Sequence, residues 1–175
     1  MKKRGLFIGR FQPFHLGHYH VIKQALNDVE ELIIAVGSAQ LSYTLTNPFT
    51  AGERLVMIRL AILNYNLPLN RFWIVPIEDI NNNSLWVSYV KSLVPRFDIV
   101  YSNNSLVRTL FTDANYEVKQ IPLVKRTEYS ATYIRELMLN GKKWEHLVPP
   151  AVADYLKEIN AVKRLKVLSQ KDEPY

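Results

Sequence analysis

The fold is decided by residues 6–18, Leu6-Phe7-Ile8-Gly9-Arg10-Phe11-Gln12-Pro13-Phe14-His15-Leu16-Gly17-His18. A short apolar run ends at Gly9, a loop follows, and helical spacing begins near His18. The run has the length and composition of a buried strand. Working outward, Glu31 to Gly37, Phe72 to Ile77, Phe97 to Tyr101 and Tyr116 to Ile121 read as further strands. Between them His18 to Asn27, Ala51 to Leu63, Ser84 to Val94 and Asn104 to Asp113 carry apolar residues three and four apart, the period of a helix with one buried face. Ser130 to Leu139, stopped by Asn140-Gly141, and a stretch after Pro149-Pro150 add C-terminal helices, the latter over about 149–168. Strands apolar on both faces that alternate with helices predict an α/β fold, a doubly wound parallel sheet covered on both sides. Such sheets bind ligands outside the carboxyl ends of their strands, so the loop at 9–18 is where a site is expected.

The whole chain sets limits on that reading. Its 175 residues, 48% hydrophobic, favour one domain over 1–175 with a substantial core. The absence of Cys excludes a disulfide framework and fits a reducing compartment. Met1-Lys2-Lys3-Arg4 precedes an apolar run too short for a secretory leader, and no stretch approaches the roughly 18 apolar residues of a membrane span. A cytoplasmic protein with no membrane partner is expected. The 22 basic and 16 acidic side chains leave +6, which suits nucleic acid, anionic lipid or a polyphosphate. Position has to separate these. Basic residues gather at the N-terminus, at Lys125-Arg126, at Lys142-Lys143 and at Lys163-Arg164-Leu165-Lys166, without a block of five. The last group reads as the solvated face and end of a helix.

Three of the four histidines, His15, His18 and His20, fall within six residues. A metal centre would need a third protein ligand, and neither Cys nor a nearby carboxylate is available, so no protein-held metal is expected. His20 reads as a structural residue projecting from the helix. For His15 and His18 the context points to phosphate. Gly17 permits close approach of the backbone, the helix start presents unpaired N–H groups at the positive end of its dipole, and Arg10 adds a cation. Far along the chain, Glu128-Tyr129-Ser130-Ala131-Thr132-Tyr133-Ile134-Arg135 offers a second helix start. Ser130 or Thr132 would cap it, and Arg135, about one turn in, would reach the same oxygens.

The string from Gly9 to His18 resembles the His-X-Gly-His signature of the nucleotidylyltransferase superfamily, and in its longer form resembles the archaeal nicotinamide mononucleotide (NMN) adenylyltransferases. Further matching strings are Val36 to Gln40, Asn47 to Arg54, Ser84 to Val87, Phe97 to Asn103 and Trp144 to Pro149, in order along nearly the whole chain. Residues 128–135 resemble the superfamily's Ile-Ser-X-Thr-X-Ile-Arg motif, with Tyr129 in place of Ile and Ala131 where this branch usually has Gly. The resemblance implies a Rossmann-like nucleotidylyltransferase domain that transfers AMP from ATP to NMN, giving NAD and pyrophosphate. Mg²⁺ would accompany ATP, and the family is commonly hexameric.

For the residues, the resemblance implies His18, His15, Arg10 and Arg135 as catalytic. ATP would be bound by Gly9, Arg10, Phe11, His15, His18, Ser130, Thr132 and Arg135. NMN or NAD would be bound by Ser38, Asp79, Asn83 and Trp86, with the indole stacked on the pyridinium ring. Trp73, inside a strand, reads as core. Arg54 has two readings of equal weight: a substrate contact, or a pair with Glu53 or Asp79 that holds its loop. The chemistry agrees with this set. The attacking phosphate oxygen is already ionised at pH 7 and needs no general base, and the motifs supply donors without a catalytic carboxylate or activated nucleophile. Two other readings compete: an adenylyl- or cytidylyltransferase with a different acceptor such as phosphopantetheine, and a basic RNA-binding module. The strings at 84–87 and 47–54 oppose the first. The second lacks a further RNA-reading domain and aromatic platforms among its basic residues, so no nucleic-acid partner is expected.

Overall fold

A computed structural model describes residues 2–122 and 129–170. Glu128 of the second motif and the Lys125-Arg126 pair lie outside the described residues. Five parallel strands, β1 (Arg4–Gly9), β2 (Glu31–Val36), β3 (Phe72–Pro76), β4 (Ile99–Tyr101) and β5 (Glu117–Lys119), pair in the order β3-β2-β1-β4-β5. The helices are α1 (Leu16–Ala25), α2 (Ala51–Asn64), α3 (Asn83–Leu93), α4 (Ser105–Asp113), α5 (Ala131–Leu139), α6 (Pro150–Glu158) and α7 (Ala161–Ser169).

Side chains alternate across each strand, so the sheet builds two cores. Phe7, Leu32, Ile34 and Val36 face one side, where Val21 of α1, Met57 of α2, Ile134 of α5, Val152 of α6 and Leu165 of α7 pack. Leu6, Ile33, Ala35 and Val100 face the other, under Val90 of α3 and Phe111 of α4. This is the doubly wound arrangement expected. No helix among the described residues is long and apolar enough to cross a membrane.

Three expectations need correction. Helix α1 begins at Leu16 rather than His18, because His15 in extended conformation serves as its N-cap. The helical part expected over about 149–168 is α6 and α7, divided at Asn160, which turns left-handed (φ 55°), a conformation Asn tolerates better than most residues. Trp73 is not core. It is 45% exposed on the edge strand β3, its indole N–H donating to Glu31 Oε2 at 3.2 Å. Arg164 is not solvated surface either, as its contacts below show.

Strand order fixes where a ligand fits. Chain connections leave β1 toward β2 on one side and return from β3 to β4 on the other, so from the carboxyl ends of β1 and β4 the chain runs to opposite faces of the sheet, into α1 and α4. The crevice between those two ends is the switch point of the sheet.

Candidate active site

A cavity of about 340 Å³ opens at that crevice. From β1 and its loop it is lined by Gly9, Arg10, Phe11, Gln12, His15, Gly17 and His18; from the end of β4 by Ser102, Asn103 and Asn104; from the start of α5 by Tyr129, Ser130, Ala131, Thr132 and Arg135. Two motifs more than a hundred residues apart thus share one wall. The bond that joins them is direct: Arg135 Nη1 donates to the Gln12 carbonyl at 2.7 Å. Arg135 is buried, and Nη2 lies 3.4 Å from Thr132 Oγ1. Ser130 is the N-cap of α5, accepting from the Tyr133 N–H at 3.1 Å, so of the two candidate caps it is Ser130 that fills the role.

The histidines are set by their neighbours. His18 sits at the third helical position, and its Nδ1 accepts the backbone N–H of His15 at 3.1 Å. That bond places the ring proton of neutral His18 on Nε2, leaving Nε2–H as the ring's donor. The His15 and His18 rings stack at 3.6 Å, and Phe11 and Phe14 enclose His18 at 4.6 and 5.3 Å between centroids. His15 Nδ1 is buried without a hydrogen-bond partner among the described residues. A Cβ on Gly17 would stand 2.9 Å from the His15 ring and 3.1 Å from Tyr129 Cβ. The space that Gly17 leaves is therefore filled by the protein's own packing, and serves a ligand only indirectly.

Burial holds both imidazoles neutral. His15 is lowered to about 3 by loss of solvent; His18 is held well below 6.5 first by burial and second by repulsion from His15. In the unfolded chain each titrates near 6.5. As pH falls through 6.5 the unfolded state takes up protons that the folded state does not. Stability that is complete above pH 6.5 is thus lost toward pH 3, at up to about 1.4 kcal/mol per pH unit for each histidine. Denaturant unfolding at pH 7, 6, 5 and 4 should show a shallower acid slope for His15→Gln than for the parent chain; equal slopes would refute the assignment.

A second cavity, of about 240 Å³, lies at the carboxyl end of β3 and is lined by Asp79, Asn81, Asn82, Asn83, Trp86, Leu106 and Leu110, among others. Three of the four residues expected at an acceptor nucleotide therefore meet here. Asn82 caps α3 through the Leu85 N–H, and the Trp86 ring packs edge-on against Phe111 at 5.7 Å. Ser38 lines neither cavity. It follows β2 in a left-handed conformation (φ 50°), buried, with its carbonyl bonded to Arg54.

Arg54 settles on its structural reading, though with different partners from those expected. Its fully buried guanidinium donates to the carbonyls of Arg10, Gly37, Ser38 and Thr50 at 2.8–3.2 Å, with Ala39 and Leu41 farther away. Glu53 pairs instead with Arg164. Burial lowers Arg54 to about 10, which leaves it charged at pH 7.

Several positioning residues were not singled out from the sequence. Gln12, buried, exchanges two 2.9 Å bonds with the backbone of Phe49. Gln40 does the same with Asp79, at 3.1 and 3.2 Å. Ser102 to Asn104 add to the cavity lining from the end of β4. For Gln40 the available signal was a glutamine among small or apolar residues, Gly37 to Leu41, because a primary amide can mimic a neighbouring strand's N–H and C=O.

The Cytidylyltransferase-like family model matches residues 6–137. A nicotinamide-nucleotide adenylyltransferase of Thermoplasma volcanium is 49% identical over 170 residues, covering 97% of this chain and 94% of the relative. One from Methanococcus vannielii is 52% identical over 169 residues, covering 97% and 96%. The chain belongs to this cytidylyltransferase-like family, in its nicotinamide-nucleotide adenylyltransferase branch. The fold of the family extends to solved structures with little sequence in common. A bifunctional NMN adenylyltransferase/ADP ribose pyrophosphatase from Francisella tularensis, complexed with AMP and a Mn ion, superposes with TM-score 0.79 at 23% identity over 96% of this chain. The chain spans 52% of that longer protein.

Proposed function

We propose that this chain transfers AMP from ATP to nicotinamide mononucleotide, forming NAD and releasing pyrophosphate. The observation that carries the reading is the convergence of the His15–His18 and Ser130–Arg135 helix starts on one cavity whose described lining holds two arginines and no carboxylate. A phosphate oxygen of NMN attacks the α-phosphorus of ATP, and the bond to the bridging oxygen breaks as pyrophosphate leaves from the opposite side. Nothing covalent forms on the protein. His18 Nε2–H donates to the reacting phosphate, His15 and Arg10 to the neighbouring ones, and Arg135, already oriented by Gln12, completes the set. Gly9, Phe11, Ser130 and Thr132 shape the rest of the ATP site. Bringing two anions together is the main obstacle, and preorganised donors remove it without a proton transfer.

A resident Mg²⁺ would require oxygen ligands, chiefly carboxylates, which the described lining of this cavity lacks. The cation therefore enters as part of the substrate, MgATP. For the acceptor, Trp86 lies against the pyridinium, Asp79 and Asn83 bind ribose hydroxyls, and Ser38 is kept as a contact to the acceptor phosphate. Trp86→Ala is expected to raise KM for NMN about tenfold, the scale of a desolvated cation–π contact, with KM for ATP unchanged. Steady-state titration of each substrate checks it.

The packing of α6 and α7 on the same core as β1 supports reading 1–175 as one catalytic unit. A homo-oligomer is expected, a hexamer if the resemblance holds for assembly. Exposed Trp73, Val56 and Leu63 provide apolar surface for it, and light scattering on the purified chain tests it. The activity itself is tested by incubating the chain with MgATP and either NMN or nicotinic acid mononucleotide and separating the products. NAD or its acid analogue is expected; no dinucleotide from either substrate would overturn the reading.

A further inference from the structure

We infer that Arg164, on the C-terminal helix α7, is a positioning residue for the nucleotide cavity: it clamps the loop before α2, and that loop holds the backbone to which Arg135 is tied. The inference rests on the reading of that cavity as the ATP site.

The path has three steps, each with its own geometry. Arg164 grips Glu53 with both ends of its guanidinium, Nη1 to Oε2 and Nη2 to Oε1, each at 2.6 Å. Nη1 also donates to the Pro48 carbonyl at 3.2 Å, and the guanidinium lies over the rings of Tyr43 at 4.8 Å and Phe49 at 5.8 Å. Glu53 Oε2 meanwhile accepts the Thr50 N–H at 2.9 Å, so one carboxylate caps α2 and receives α7. Residues 43 to 53 are thereby held from the C-terminal side. In the second step the Phe49 backbone, inside the clamped loop, exchanges its two 2.9 Å bonds with the Gln12 side chain. In the third the Gln12 carbonyl accepts Arg135 Nη1 at 2.7 Å. Only about 15% of either side chain in the Arg164–Glu53 pair is exposed, and a bidentate fork with little solvent screening fixes direction as well as distance.

Packing alone does not require this arrangement. Helix α7 is already anchored by fully buried Ala161 and Leu165, while Lys163 and Lys166 on its outer face stay in solvent. What Arg164 adds is a rigid reference for the loop beside the cavity. Since catalysis by positioning falls steeply with displacements of about 1 Å, slack at position 49 would be felt at Arg135.

The test compares Arg164→Ala, Arg164→Lys and Glu53→Gln in the full chain by hydrogen exchange, thermal melting and kinetics. Exchange is expected to accelerate at least tenfold in residues 47–53 and also in 10–15 for Arg164→Ala and Glu53→Gln. Arg164→Lys, which keeps the charge but not the fork, should restore less than half of that protection. kcat/KM for ATP should fall about tenfold with KM for NMN unchanged, and in an Arg135→Lys background Arg164→Ala should cost less than twofold further. Faster exchange confined to 47–53 or to α7, or full additivity with Arg135→Lys, would overturn the inference. Should the parent chain form no dinucleotide, the proposed activity fails, yet the exchange of 10–15 still decides whether the clamp reaches the cavity.

Discussion

His18→Ala should lower kcat for dinucleotide formation by roughly 10²–10³, the cost of removing one preorganised donor from a developing anionic transition state. KM for NMN should stay within about twofold, because the residues proposed for the acceptor, Asp79, Asn83 and Trp86, line a different cavity. The size of the effect follows from how the ring is held. Its Nδ1 is committed to the His15 N–H, its faces are packed by His15 and Phe11, and burial keeps it uncharged, so Nε2–H has one orientation. A donor that needs no reorganisation acts mainly on the transition state. Alanine also removes packing, so a second variant separates the two causes. His18→Asn retains an acceptor where Nδ1 was and lacks the outer donor. It should recover most of the melting temperature lost in His18→Ala while kcat stays low. If Asn restores kcat, the ring is structural and the role assigned to Nε2 is wrong.

The elements were legible because two periods run through this sequence. Apolar residues recur at every second position or continuously in the strands, and three to four apart in the helices. Each of the five strands and most helices can be found that way. Whether a strand is central or at an edge is not local information. Phe72 to Pro76 is as apolar as β2, yet strand order leaves it at the rim with Trp73 exposed. The start of α1 was missed by two residues because a histidine, not Ser, Thr, Asp or Asn, occupies the cap. The break at Asn160 was available in principle, since Asn is a frequent left-handed residue, but Val152 to Ile159 carries helical spacing up to it.

At the candidate site, the side chains proposed for the chemistry could be named from the sequence and their supports could not. His15, His18, Arg10 and Arg135 are unusual residues in recognisable places, and they do line one cavity. Gln12, Gln40 and Arg164 act through backbone groups brought near only by folding. Arg164 in particular looks like any cation in a basic tail, Lys163-Arg164-Leu165-Lys166, until its partner Glu53 is seen 2.6 Å away.

Arg54→Met is expected to have the largest effect on stability, about 3–5 kcal/mol, because several buried carbonyls lose a charged donor at about 1–3 kcal/mol each, offset in part by relief of the guanidinium's desolvation. For a chain of this length that is a fall in melting temperature on the order of 10 °C. Methionine nearly preserves the apolar stem and volume, so the loss isolates the guanidinium. Its bonds to Arg10, Gly37, Ser38 and Thr50 tie together the loops after β1 and β2 and the start of α2, and no single neighbouring group replaces them. The carbonyls left behind are within the protein and would each lose a charged donor. Arg54→Lys keeps the charge but has one nitrogen where three were used, so it should recover less than half of the loss. Activity should fall in both variants, because the Arg10 carbonyl is among the tethered groups and its displacement moves the cation beside it. A denaturant midpoint for Arg54→Met within 1 kcal/mol of the parent chain would show that water or backbone rearrangement satisfies those carbonyls, and that the loops at the sheet's carboxyl edge hold their shape without it.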